Sequence, residues 1–340
     1  MSQPQSPWWA PDRHQDRRAF LAARSAILAG VRGYFQRRGF VEADVDALAI
    51  AAGAEVHIDP IAADGRYLHA SPEFALKKLL AAGETKIYFL GKVYRGGESG
   101  PRHRPEFTLL EFYRAGEGVA AIQRDCLAIA RLAQRIAAGF GLAPRGTCDW
   151  TKPAERLSLT AAFARHLGAD LRSLLAADGT GALAPMQALA AAQGLSPAAD
   201  DDWSDLFAKL LTQRIEPLLG ARAITLLTDY PAPEAALARR LPADPRFAER
   251  FEVYIDAIEL ANGYGELTDP VEQRARLLAA RAERQRRYGA DLPIDEDFLA
   301  ALGHMPPAAG VALGIDRLVM LAVGAPDIDA VVWSAPRARP

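Results

Sequence analysis

The stretch Lys86–Arg114, KIYFLGKVYRGGESGPRHRPEFTLLEFYR, decides the fold of this 340-residue chain. Ile87, Tyr88, Phe89 and Leu90 are β-formers closed by Gly91. Val93 and Tyr94 lead into Arg95, and a loop rich in glycine, proline and charge runs from Gly96 to Pro105. A second apolar run, Phe107 to Tyr113, is preceded by Glu106 and carries Glu111. The pattern predicts two antiparallel strands joined by a long cationic loop. Arg95, Arg102, His103 and Arg104 lie in or beside that loop. Guanidinium forks match phosphate oxygens better than any other side chain. The loop therefore implies a polyanion lying on the sheet, with a merely solvated hairpin tip as the competing reading.

Two further stretches sharpen this. GVALGIDRLVML, Gly310 to Leu321, reads as a short strand, a turn at Gly314 and an apolar helix from about Asp316. Gly310 and Gly314 leave the backbone open to close approach. Arg317 falls in the first helical turn, where anions are favoured. FEVYIDAIELANGYGELTD, Phe251 to Asp269, carries Glu259 at the end of a core strand expected over Arg250–Leu260, and Glu266 after a turn at Gly263 and Gly265. A buried carboxylate is costly unless it meets a cation. Two of them beside a triphosphate suit Mg²⁺, which takes one or two carboxylates plus phosphate oxygens. Ion pairs with nearby arginines are the alternative.

Composition narrows the field. The formal charge is −2 and half of the residues are hydrophobic, and the pI is about 6.3. That is no electrostatic footprint of a nucleic-acid binder. Cys126 and Cys148 lack CxxC spacing and read as inert thiols of a reducing compartment. No apolar run is long enough to span a membrane, and the first residues lack the apolar centre of a signal peptide. A cytoplasmic enzyme is expected.

Along the chain, residues 1–15 read as a tail and 16–340 as one catalytic domain with a helical insertion at about 158–220. Trp8 and Trp9 are expected to pack on the body. A helix is expected from Asp16 to Arg38, with Phe20, Ile27, Leu28, Val31 and Phe35 inward, then a strand through FVEADVDAL. EVHIDPI and RYLHA read as strands around an Asp64–Gly65 turn, and Ser71-Pro72-Glu73 starts a helix. Ala120–Phe140 is amphipathic, and Ser158 starts a further helix. Ala223–Tyr230 reads as a strand and Val271–Tyr288 as a long charged helix whose RAERQRR run is a solvated face.

The Arg-bearing strand–loop–strand and the Gly-rich strand–helix resemble motifs 2 and 3 of class II aminoacyl-tRNA synthetases. The long N-terminal helix and following strand resemble motif 1, their dimerisation element, with Asp46 where that family usually has proline. The resemblance implies an α+β fold, an antiparallel β-sheet flanked by helices. The run from Glu259 to Leu267, E-x-x-N-G-x-x-E-L, resembles the lysyl branch. The motif 1 helix starts near residue 16, which leaves no room for an anticodon-binding barrel before it. With that length, the chain resembles the lysyl-tRNA synthetase paralogues that ligate (R)-β-lysine to elongation factor P.

The resemblance implies roles residue by residue. Arg95 and Arg317 are the catalytic cations. Arg95, Gly96, Gly97, Glu98, His103, Arg104, Phe107, Glu259, Leu260, Gly314 and Arg317 would bind ATP, with Phe107 stacked on adenine. Ser71, Pro72, Glu73, Tyr113, Asn262, Glu266 and Ala312 would line the amino-acid pocket. Glu259 and Glu266 would hold Mg²⁺. Gly96-Gly97 stand where the family often has Asn-Glu, Arg104 replaces a common Asn, and Ala312 replaces the glycine usual in lysyl-tRNA synthetases. The implied reaction is ATP-dependent activation of (R)-β-lysine or lysine, with transfer to a lysine of elongation factor P. Transfer to tRNA or to a small acceptor is the rival. A homodimer is implied as well.

Overall fold

A computed structural model describes residues 7–51, 53 and 55–334. Most of the expected tail, residues 1–6, lies outside them. Helix α1 (Pro11–Gln36) starts five residues earlier than expected, with proline in its first turn where the missing N–H costs nothing. It buries Leu21, Ile27, Val31 and Phe35. Trp9 does not pack on the body: it is 65% exposed.

The expected strand through FVEADVDAL is broken. Only β1 (Val41–Glu42) and β2 (Leu48–Ala49) form, separated by an irregular stretch around Asp46. EVHIDPI is likewise mostly irregular. β3 (Ile61–Ala63) and β4 (Arg66–Leu68) pair around Asp64 and Gly65, both at positive φ, and β2 completes this small sheet. Helix α2 (Glu73–Ala81) follows.

β5 (Lys86–Tyr94) and β6 (Glu106–Ala115) form the expected antiparallel pair. Helix α3 (Val119–Ala138), β7 (Glu155–Ser158) and α4 (Leu159–Leu167) come next, with the Ser158 hydroxyl capping α4 by accepting from the Ala161 N–H. Helices α5 (Leu183–Ala192) and α6 (Trp203–Leu210) complete a helical lobe whose core includes Phe163, Met186, Trp203, Phe207 and Leu210. The remaining strands are β8 (Thr225–Pro231), β9 (Arg240–Leu241), β10 (Asp244–Ile255), β11 (Ile258–Gly265) and β12 (Ala308–Gly314). Helices α7 (Pro270–Tyr288), α8 (Glu296–Leu302) and α9 (Ile315–Val323) flank them.

The main sheet runs β1-β5-β6-β12-β11-β10-β8-β7, with β9 paired to β10. Its interior is antiparallel, and only the edge pairs β1–β5 and β7–β8 are parallel. Two-residue alternation assigns the faces. Leu110 and Phe112 of β6, and Val311 and Leu313 of β12, join α1, α3 and α9 in the largest core. The alternate residues Leu109, Glu111 and Tyr113, with Gly310, Ala312 and Gly314, line a cleft on the opposite face.

One strand expectation is wrong in a way that matters. Arg250–Leu260 is not a single strand. The chain reverses at Asp256 and Ala257, at φ 48° and 60°. Turns with two positive φ values favour Asn-Gly or Asp-Gly, and the alanine here hid the hairpin. Glu259 therefore opens β11, and Gly263 and Gly265 lie within that strand.

Candidate active site

Strand register builds the cleft floor in rows. Across β6, β12, β11 and β10, Glu111 faces Ala312, Ala312 faces Asn262, and Asn262 faces Glu252. One pleat away, Tyr113, Gly310, Tyr264 and Arg250 form a second row. Both rows line a cleft of about 360 Å³, together with Ser71, Glu73, Arg95, Glu98, His103, Phe107, Glu259, Leu260, Gly314 and Arg317. Most of the residues expected at the site thus converge.

At one end lie the cations. Arg317 sits in the first turn of α9 and donates from Nη1 to the Glu259 carbonyl at 2.9 Å. Its Nη2 lies 2.6 Å from His103 Nε2, and Nη1 lies 3.8 Å from the Glu259 carboxylate. The helix start is anchored from behind: Asp316 accepts from the Thr108 N–H at 2.9 Å and pairs with buried Arg24 at 2.6 Å. Arg95 leaves β5 toward the same space. Its guanidinium lies 5.1 Å from the Phe107 ring centre and 3.7 Å from Glu98. Burial and the neighbouring Arg317 push the His103 pKa down, so a neutral imidazole can accept from Arg317.

At the other end lie carboxylates. The Ser71 hydroxyl donates to Glu111 Oε2 at 2.5 Å and the Tyr113 hydroxyl to Oε1 at 2.8 Å. Burial and nearby Glu73 nevertheless raise the Glu111 pKa to about 8. Burial also raises the Glu73 pKa, and Lys77 opposes that rise. Lys77 lies 2.5 Å from Glu73 Oε1 and 2.6 Å from Glu266 Oε2. Burial works against the Lys77 charge, but Glu266 and Glu73 outweigh it and the pKa rises.

Several expectations need correction. Glu259 and Glu266 do not share a metal. Seven residues of extended chain separate them by roughly 20 Å, and Glu266, buried against Lys77, does not line the cleft, neither as a metal ligand nor in the amino-acid pocket. The carboxylate that meets Glu259 is Glu252, carried to it by the hairpin. Tyr254, the residue opposite Glu259, donates to Glu252 at 2.6 Å. Burial and the Glu252 charge push the Glu259 pKa up to about 7, while the cleft leaves 40% of its side chain open to solvent screening. Two carboxylates that repel one another beside a polyphosphate-sized cleft fit Mg²⁺; Glu252 and Glu259 would hold it.

Gly96 and Gly97 do not line the cleft. The Gly96 N–H donates to the Asp59 carbonyl at 2.7 Å, and a Cβ there would meet the Asp59 carboxylate at 2.9 Å. Pro72 caps the start of α2 and does not line the cleft either. Arg104 reaches the rim, but its guanidinium pairs with Asp329. Gly310 makes room for protein, not ligand: a Cβ would fall 2.2 Å from the Tyr113 ring and 2.6 Å from Glu266 Oε1. Asn262 points a buried Oδ1 that has no partner among the described residues.

Residues the motifs did not single out are Lys77, Glu111, Arg250, Glu252 and Tyr264. An acid in an otherwise apolar strand was the available signal for Glu111 and Glu252. Within RAERQRR, Arg284 is no solvated residue: it is buried and donates to the carbonyls of Glu55 and Ile58 at 2.6 Å each.

A family model described as tRNA synthetases class II (D, K and N) matches residues 5–335. This chain belongs to that class II synthetase family. Within it the chain groups with proteins named elongation factor P–(R)-beta-lysine ligase. The one from Vibrio cholerae is 39% identical over 337 residues, covering 94% of this chain and 96% of that protein. Those of Yersinia enterocolitica (39% over 327 residues) and Vibrio vulnificus (37% over 324 residues) each cover 92% of this chain and 94% of their own. The class II match agrees with the helix-flanked sheet and its antiparallel interior. No helix among the described residues is long and apolar enough to cross a membrane.

Proposed function

We propose that this protein activates (R)-β-lysine, or lysine, with ATP and passes the acyl group to a lysine side chain of elongation factor P. The observation that carries it is one cleft lined both by the buried carboxylates of Glu73 and Glu111 and by the guanidiniums of Arg95 and Arg317. A diamino acid has the matching shape, with its ammonium groups toward Glu73 and Glu111 and its carboxylate toward Arg95 and Arg317. The relatives' shared name, over nearly their whole length, supplies the acceptor and the β-isomer.

The substrate carboxylate attacks the α-phosphorus of ATP, and the bond to pyrophosphate breaks. The acceptor amine then attacks the acyl carbon, and AMP leaves. Little proton transfer is needed in the first step, so alignment and charge do most of the work. Arg95 would neutralise the α-phosphate and Arg317 the departing pyrophosphate, and the Phe107 face would receive the adenine. Mg²⁺, held by Glu252 and Glu259, would supply charge neutralisation on the phosphates. Ser71 and Tyr113 orient Glu111 toward the amino acid.

The slight net negative charge argues for a protein acceptor over RNA, since RNA affinity rests on lysine and arginine neutralising phosphates. We further propose a cytoplasmic homodimer joined through the α1–β1 region, where Val41 is exposed on the edge strand. The test combines the protein with ATP, labelled (R)-β-lysine, elongation factor P and total tRNA, then separates protein from RNA. Label on the factor is expected. Label confined to tRNA 3′ ends would make this a tRNA-charging enzyme instead.

A further inference from the structure

Lys77 has no part in the chemistry above, yet its placement is unusual. It is 1% exposed, on the inner side of α2. Its ammonium bridges two carboxylates from different parts of the chain: Glu73, one turn earlier on the same helix, and Glu266, just beyond β11. Each is gripped by one oxygen only. Glu266 meets the ammonium as an ion pair through Oε2, neither of its oxygens makes a hydrogen bond of good geometry among the described residues, and Oε1 lies against the Gly310 backbone beside the Tyr113 ring. Glu73 itself lines the cleft.

A bridge serving stability alone would balance its charges. This one does not. Glu73, Glu111 and Glu266 surround one ammonium, so the fully ionised group carries a net charge of two negatives. Burying unpaired charge is expensive, and Glu111 and Glu266 have raised pKa values, mainly from burial. A cationic substrate would favour the ionised form of this group, and a diamino acid brings two ammonium charges.

We propose that Lys77 is a positioning residue of the amino-acid pocket: anchored on its other side by buried Glu266, it grips Glu73 by one oxygen, so that the other oxygen of Glu73 meets a substrate ammonium group. It also offsets part of the negative charge that Glu73, Glu111 and Glu266 concentrate at this end of the cleft. Ser71 and Tyr113 do the corresponding holding for Glu111. The inference rests on the diamino-acid reading of the cleft.

The test is ATP–pyrophosphate exchange with (R)-β-lysine and with lysine, on the wild type, Lys77→Met and Lys77→Gln, each checked by thermal melting. The amino-acid KM is expected to rise about 10–100-fold, the scale of a charged hydrogen bond, while the ATP KM stays within about twofold. A general loosening of the fold would move both constants together, and that result, or an unchanged amino-acid KM, overturns the proposal. Should neither variant melt cooperatively, a crystal structure of the wild type with the amino acid decides. Lys77 should keep both contacts while Glu73 touches a substrate ammonium; a Glu73 that touches none refutes it. A wild type that exchanges with no diamino acid would instead bring down the functional reading.

Discussion

Replacing Arg317 with alanine is expected to stop amino-acid activation and leave the fold standing. The side chain is 24% exposed, and its bonds run to two backbone carbonyls, those of Glu259 and Arg102, to His103 and to the Glu259 carboxylate at the rim. Losing two or three such bonds costs about 1–3 kcal/mol of stability. At about 2.1 cal/mol/K per residue, a chain of this length unfolds with an entropy near 0.7 kcal/mol/K. The melting temperature should then fall by only about 1–4 °C. The chemical step should suffer far more. A positioned charge facing developing negative charge is worth about 2.7–4 kcal/mol, or roughly 100–1,000-fold in rate. Arg317→Lys keeps the charge but not the fork and should fall between. The assay is ATP–pyrophosphate exchange at saturating ATP and (R)-β-lysine, beside calorimetric melting. Exchange within about threefold of wild type in a well-folded Arg317→Ala protein would remove this residue from the mechanism.

Ala312 sits between Glu111 and Asn262 in the cleft-floor row, so Ala312→Gly should shift preference from β-lysine toward α-lysine. One methyl group is worth about 1–3 kcal/mol of discrimination, and an unchanged ratio of kcat/KM for the two isomers would exclude it as the discriminator. Burial and Glu73 hold the Glu111 pKa at about 8, so Glu111 binds a proton below that pH, and a cationic substrate must displace it. The amino-acid KM should therefore fall as pH rises from about 6 to 8 and level off above, and Glu111→Gln should flatten that profile; a flat wild-type profile would count against the assignment.

Much of this protein is legible along the chain. Lys86–Arg114 shows its hairpin because apolar runs, a Gly/Pro-rich loop and clustered arginines are local features. Gly310–Leu321 shows its strand and helix for the same reason, and with them Arg95, Phe107 and Arg317 are found. What went astray depended on pairing. The reversal at Asp256–Ala257 uses positive φ without a glycine, so spacing alone points to Glu266 as the second metal ligand and leaves Glu252 unseen. Gly96 and Arg104 looked like ligand contacts until Asp59 and Asp329 claimed them. Lys77 reads as an ordinary amphipathic-helix lysine until α2 is laid beside the end of β11. The row Glu111–Ala312–Asn262–Glu252 joins residues up to about two hundred positions apart. A slip of one residue in any of those strand pairs would turn its side chains to the other face. Motif spacing therefore determines which residue types are present, while register, a property of strands only once they are paired and packed, determines which of them meet.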